Sequence, residues 1–126
     1  ISPYARINAD GPLVTVSDFG NNHGVVIGPV LDGWRDLDLC EIVVRTDIDG
    51  ETAGENTAAA MLDGPYGAVR FLLGNLVERG FDLSRGLWVS TGAITGVHPV
   101  VPGQTVTATF GAHGALSCKI TPAQPR

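Results

Sequence analysis

The chain has 126 residues, 44% of them hydrophobic and 17% charged, and a net charge of −5 from eight Lys plus Arg against thirteen Asp plus Glu. That length fits one domain spanning residues 1–126, and the composition argues against disorder. Scattered arginines, one lysine and few aromatic residues argue against nucleic-acid or anionic-membrane binding, and no apolar run approaches the ~20 residues that cross a bilayer.

The sequence opens on Ile1 and carries its one methionine at Met61, which points to a processed chain, a separately made subunit or a fragment. Seventeen glycines and eight prolines call for dense turns. Residues 13–16 (LVTV) read as a short strand after the Gly11-Pro12 turn. A polar, glycine-rich loop covers residues 18–24, and residues 25–28 (VVIG) read as a second short strand. Residues 38–46 (DLCEIVVRT) read as a strand whose core face carries Asp38, Cys40, Ile42, Val44 and Thr46. Asp49-Gly50 is a type I′ hairpin signal, so the chain returns as a strand from Glu51 to Ala53.

One long helix follows. Asp63 or Gly64 caps it, Pro65 suits its first position, and Gly80 suits the residue beyond its end. Ala68, Val69, Leu72, Leu73, Leu76 and Val77 form a single apolar stripe, predicted to pack in the core. Residues 87–91 (LWVST) read as a strand, followed by a loop through Gly96. A further apolar run, 97–101, ends at the Pro102-Gly103 turn. Residues 105–110 and 115–120 alternate cleanly on either side of a glycine-bounded turn and predict an antiparallel hairpin. The tail from Thr121 reads as a frayed terminus. Cys40 and Cys118 lie in strand-like contexts and read as reduced, buried thiols of a cytosolic protein, with a disulfide as the lesser alternative. Neither belongs to a Cys-x-x-Cys pair, so zinc is not suggested.

Three stretches carry a resemblance. They are residues 54–80 (GENTAAAMLDGPYGAVRFLLGNLVERG), residues 83–120 (LSRGLWVSTGAITGVHPVVPGQTVTATFGAHGALSCKI) and, more weakly, residues 16–28 (VSDFGNNHGVVIG). The Leu62-x-x-Pro65 step into a helix, the Thr91-Gly92-Ala93-Ile94-Thr95 loop and the closing hairpin resemble the C-terminal half of the 2-keto-4-pentenoate hydratase family, within the fumarylacetoacetate hydrolase superfamily. The resemblance implies an α+β fold, a β-rich mixed sheet or roll with one long helix. It implies half of a cytoplasmic, metal-dependent lyase acting on a 2-hydroxy-2,4-dienoate or 2-oxo acid. In that family a Glu-x-Glu pair and a third Glu of the N-terminal half hold Mg²⁺ or Mn²⁺, which acts as a Lewis acid on the enolate oxygen. This chain has no Glu-x-Glu, so the metal would be held mainly by residues outside it, on a second chain carrying the N-terminal half, in an oligomer. Rival readings are a 2-oxo-acid decarboxylase of the same family, a fumarylacetoacetate-type C–C hydrolase, and a non-catalytic partner subunit.

The resemblance also selects site residues. Thr91, Gly92 and Thr95 lie in a loop whose hydroxyls and backbone N–H groups can hold a carboxylate. In the hydratases the stretch matching Asp18 onward reads Asp-Asn-x-Ser. Here Asp18 is kept, Phe19 replaces Asn, and Asn21 falls at or near the Ser, which points to an altered substrate or outcome. Asn21 and His23 are the catalytic candidates, with Asp18, Thr91, Gly92 and Thr95 as substrate-binding ones. Glu55 and Asn56 stand where the family has small residues, in what reads as a surface turn. His98 and His113 sit beside turns and read as exposed. Asp47-x-Asp49-Gly50 imitates part of a calcium loop but lacks its remaining ligands, so a hairpin turn is favoured.

Overall fold

A computed structural model describes residues 9–17, 20, 24–61 and 63–122. Contacts divide it into two compact units: the described residues up to Ile27 together with Pro122, and Gly28–Thr121. In the first unit, α1 spans Pro12–Ser17, where the sequence predicted a strand. Two features explain the helix. Pro12 fits a first turn, where no N–H is required. The hydroxyls of Thr15 and Ser17 donate to carbonyls four residues back, on Gly11 (3.4 Å) and Leu13 (2.8 Å).

The second unit is built on four strands: β1 (Val43–Ile48), β2 (Glu51–Thr57), β3 (Thr105–Phe110) and β4 (Ala115–Lys119). They form one sheet in the order β2-β1-β3-β4, with every pairing antiparallel. The described fold is therefore a small α+β unit with an antiparallel sheet rather than the mixed sheet or roll predicted. The β1–β2 hairpin turns at Asp49 (φ 51°) and Gly50 (φ 89°), the two positive φ values a type I′ turn needs. β2 runs to Thr57, four residues further than the sequence indicated. Asp49 also ties this turn to β3. Its N–H donates to the Thr105 carbonyl (2.9 Å), and its carboxylate accepts the Thr105 N–H (2.8 Å). Asp47 accepts from Arg45 (3.0 Å) and from the Thr52 hydroxyl (2.8 Å). Both carboxylates thus hold protein donors, as a hairpin turn requires. The predicted β3–β4 hairpin forms, and the Thr107 and Ser117 hydroxyls hydrogen-bond across it at 2.7 Å.

The strand predicted from residue 38 begins later. Asp38 accepts the Cys40 N–H at 2.9 Å and caps a 3-10 turn at Leu39–Glu41, so β1 starts only at Val43. Its inward face is the predicted one, since Val44 is 6% exposed. The runs predicted as strands at 25–28 and 87–91 make no backbone–backbone hydrogen bond among the described residues, nor do residues 97–100. Apolar residues of β type become a strand only beside a neighbour that takes up their N–H and C=O groups.

The long helix, α2, spans Gly64–Glu78. Asp63 precedes it with a left-handed φ of 56°, and Gly80 (φ 75°) follows it. The N–H groups of Gly80 and Phe81 close its end by donating to the Val77 and Leu76 carbonyls at 2.9 and 3.0 Å. Its buried residues are two glycines, Gly64 and Gly67. The predicted core stripe is half-buried through Leu76, and Val77 is exposed. The helix leans on the 3-10 turns at Leu39–Glu41 and Ala58–Ala60. Those short elements are too narrow to cover a 15-residue stripe. Among the described residues the buried apolar set is Val44, Ala58 and Ile120. Cys40 and Cys118 are free and half-buried rather than fully buried. No described helix is long and apolar enough to cross a membrane.

Two outcomes follow. Val44→Ala removes two methyl groups from the best-buried strand position and lowers stability by about 2 kcal/mol, read from a urea midpoint, whereas Phe71→Ala on exposed α2 surface stays within about 0.5 kcal/mol. Asp82 accepts the backbone N–H of Ser84 (2.9 Å) and its hydroxyl (3.1 Å), which hold its carboxyl below the ordinary value. A lowered folded-state pKa stabilises the turn above the unfolded value, and that contribution is lost as pH falls through the folded one. A carbon-detected NMR titration should therefore place Asp82 below its unfolded-peptide value, and Ser84→Ala should move it back up.

Candidate functional site

The recess of interest lies between the start of α2 and residues 89–92, with a volume of about 680 Å³. Asp63, Gly67, Ala68, Phe71 and Leu72 form one wall, Val89, Ser90, Thr91 and Gly92 form the other, and the Met61 side chain lies beside Gly92. Gly67 makes the first wall possible. A Cβ there would lie 2.6 Å from the Asp63 Oδ2. The Asp63 carboxylate does not cap α2; it pairs with Arg70 at 2.6 Å. Both groups are largely exposed, so the pair fixes geometry more than it adds stability.

The opposite wall carries two of the predicted residues. Thr91 and Gly92 line the recess, and their backbone N–H groups bond to no carbonyl among the described residues. Gly92 has φ 135°, a conformation that glycine adopts readily. The Thr91 hydroxyl and these two N–H groups are donors beside a mostly apolar surface, an arrangement suited to orienting a carboxylate or carbonyl oxygen.

Thr95, grouped with them from the sequence, sits elsewhere. Its Oγ1 lies 2.8 Å from Thr46 Oγ1 on β1, so its hydroxyl is already engaged by the sheet. Beside it, Gly54 of β2 is open to a close approach. A Cβ on Gly54 would fall 2.6 Å from the Thr95 carbonyl oxygen and 2.8–2.9 Å from the His98 ring. His98 is half-buried rather than exposed, and its Nε2 is buried without a hydrogen-bond partner among the described residues. His113 is half-buried as well. Glu55 and Asn56 are exposed on strand β2, not in a turn and not in the recess. Asp18, Asn21 and His23 lie outside the described residues.

Sequence reasoning missed the first wall. Phe71 falls between the stripe positions of α2, and an apolar residue off the stripe is the signal that could have marked it. Asp63 was read only as a cap. Among the described residues no three His, Cys, Asp or Glu side chains cluster as metal ligands. The recess offers one carboxylate, Asp63, already held by Arg70, with the hydroxyls of Ser90 and Thr91. That donor set by itself does not fit Mg²⁺ or Mn²⁺, which favour several oxygen ligands in regular geometry.

No family model matches the chain. It is similar to the 4-oxalocrotonate decarboxylase of Pseudomonas putida, with 29% identity over 107 residues, 85% of this chain and 40% of the relative. It is also similar to the 4-oxalocrotonate decarboxylase of Pseudomonas sp. (strain CF600), with 32% identity over 98 residues, 78% of this chain and 37% of that relative. The chain therefore spans about 40% of the length of the curated relatives it matches.

The Gly54 seat gives a paired outcome. Gly54→Ala forces a methyl group against the Thr95 carbonyl and the His98 ring and destabilises by about 1–3 kcal/mol. Gly74→Ala, in open space on α2, stabilises by about 0.5–1 kcal/mol. Thermal unfolding of the two variants should move the midpoint in opposite directions.

Proposed function

We propose that this chain supplies one wall of the substrate pocket of a 2-oxo-acid decarboxylase of the fumarylacetoacetate hydrolase superfamily. The other walls, and the carboxylates for a Mg²⁺ or Mn²⁺ ion, would come from polypeptide that the chain does not span. The observation that carries the reading is the pairing of the free donors at Thr91 and Gly92 with an apolar facing wall, in a chain similar to two decarboxylases. That similarity supports decarboxylation better than the hydration first read from the sequence.

The chemistry agrees with the lining. In the proposed reaction the C–C bond to the departing carboxylate breaks, and its electron pair passes through the conjugated chain to the 2-oxo oxygen. Carbon dioxide leaves and an enolate remains to be protonated. Charge concentrated on a carboxylate becomes charge spread over the enolate, and apolar side chains such as Phe71, Leu72 and Val89 disfavour the concentrated form more. Hydration needs a water held against a carbon, and the helix side of the recess, Asp63 apart, is apolar. The Thr91 hydroxyl and the N–H groups of Thr91 and Gly92 would grip a retained carboxylate or the 2-oxo oxygen, fixing the substrate's orientation. Asp63, tied to Arg70, would close the end of the recess at the start of α2.

The test is a chimera in which this chain replaces the matching segment of the Pseudomonas putida decarboxylase. Supplied with 4-oxalocrotonate and Mg²⁺, it should release carbon dioxide. Thr91→Val should lower kcat by about 10–100-fold, the worth of one hydrogen bond to a charged group, with an unchanged circular dichroism spectrum. A hydrated product without carbon dioxide would restore the hydratase reading, and no turnover by a folded chimera would favour a non-catalytic subunit.

A further inference from the structure

Residues 87–91 have the composition of a strand, two β-branched residues and a tryptophan in five, yet they make no backbone–backbone hydrogen bond among the described residues. The segment is bracketed by glycines of positive φ, Gly86 (67°) and Gly92 (135°), and the Gly86 N–H closes a turn onto the Leu83 carbonyl at 3.0 Å. These glycines bound a run of strand length. Its side chains are displayed unevenly. Trp88 is 81% exposed, an unusual position for so large an apolar ring, whereas Val89 is half-buried in the recess wall.

We infer that residues 87–91 accept a β-strand from polypeptide that the relatives possess and this chain does not span, in the same molecule or on a second one. Naming that polypeptide as decarboxylase rests on the proposed function; the pairing itself rests on the backbone and on Trp88. An added strand on one edge takes up alternate N–H and C=O groups, those of Trp88 and Ser90, the usual form of β-augmentation; it covers the Trp88 ring and leaves the Thr91 N–H to the recess. The relatives have the chain for it, since about 60% of their length lies beyond the match. Pairing would also brace the recess. Val89, Ser90 and Thr91 would then sit on a hydrogen-bonded strand instead of an unpaired run, and a bound carboxylate would meet donors already fixed in place.

Amide hydrogen exchange, read by mass spectrometry on the 126-residue chain and on the chimera, tests this. In the chain alone, amides 87–91 should exchange at the unprotected rate while those of β3 are slowed. In the chimera, amides 88 and 90 should slow by at least about 100-fold. Fast exchange at both 88 and 90 in a chimera with protected β3 amides would overturn the inference, whether or not carbon dioxide is released. Slow exchange without carbon dioxide would leave the pairing standing and remove the decarboxylase. Protection at 87–91 in the chain alone would also overturn it, by intramolecular pairing if independent of concentration and by a second copy if not. A chimera lacking β3 protection is replaced by co-expression of this chain with the unmatched part of the Pseudomonas putida enzyme, read in the same way.

Discussion

The missing side chain at Gly54 is the constraint on which the candidate site depends. β2 can lie close beneath the loop that follows residue 91 only because no Cβ projects from Gly54 toward the Thr95 carbonyl and the His98 ring. With that approach allowed, Thr95 reaches across to Thr46 and anchors the loop to the central pair of strands. The other end of the loop is thereby free to present Thr91 and Gly92 to the recess. One glycine thus connects the sheet, which carries little chemistry of its own, to the donors proposed to hold substrate. The loop is divided in function: Thr95 fixes it, Thr91 and Gly92 face the recess.

A second constraint is the small quantity of apolar surface that this chain hides from itself. Val44, Ala58 and Ile120 are buried, whereas Phe71 and Trp88 are about four-fifths exposed. Isolated exposed leucines or valines are ordinary on protein surfaces, but large aromatic residues beside a half-covered helix stripe mark surface adapted to a neighbour. Under the proposed function that neighbour is the remaining polypeptide of a decarboxylase. On the same reading the unpaired segments would find their neighbour there, because a strand is a property of two chains side by side and not of one run of residues.

This separates what the sequence could reveal from what it could not. The Asp49-Gly50 turn, the β3–β4 hairpin and α2 with its Pro65 start and Gly80 stop were legible, since each is fixed by residues within a few positions of one another. The inward face of β1 was legible from alternation, and Val44 sits on it. The helix at Pro12–Ser17 was not, because Leu13 to Val16 alternates like a strand while the deciding groups are two hydroxyls donating to carbonyls four residues back. The strand at 38–46 was shortened by the local cap that Asp38 makes. Thr91 and Gly92, which the loop motif singles out, line the recess. Thr95 was not separable from them, since its partner, Thr46, is 49 positions away. Phe71 was passed over because helical periodicity ranks residues by how well they join a stripe, whereas a recess is lined by the residues at its margin.

The chemistry of the recess follows from the same asymmetry. A pocket for hydration needs polar groups on both sides, one set for the substrate and one for the water. A pocket for decarboxylation needs donors on the side that holds the retained oxygen atoms and a dry surface where the carboxylate departs. Here the donors of residues 90–92 share the recess with the apolar side chains of Ala68, Phe71 and Leu72, and the one carboxylate on the helix side, Asp63, is matched by Arg70. An unpaired carboxylate at that position would repel an anionic substrate; paired with a guanidinium, it leaves the entrance close to neutral. Under the proposed function the substrate's charge would be accepted at one side and left without solvation at the other, which is the distribution that loss of carbon dioxide requires.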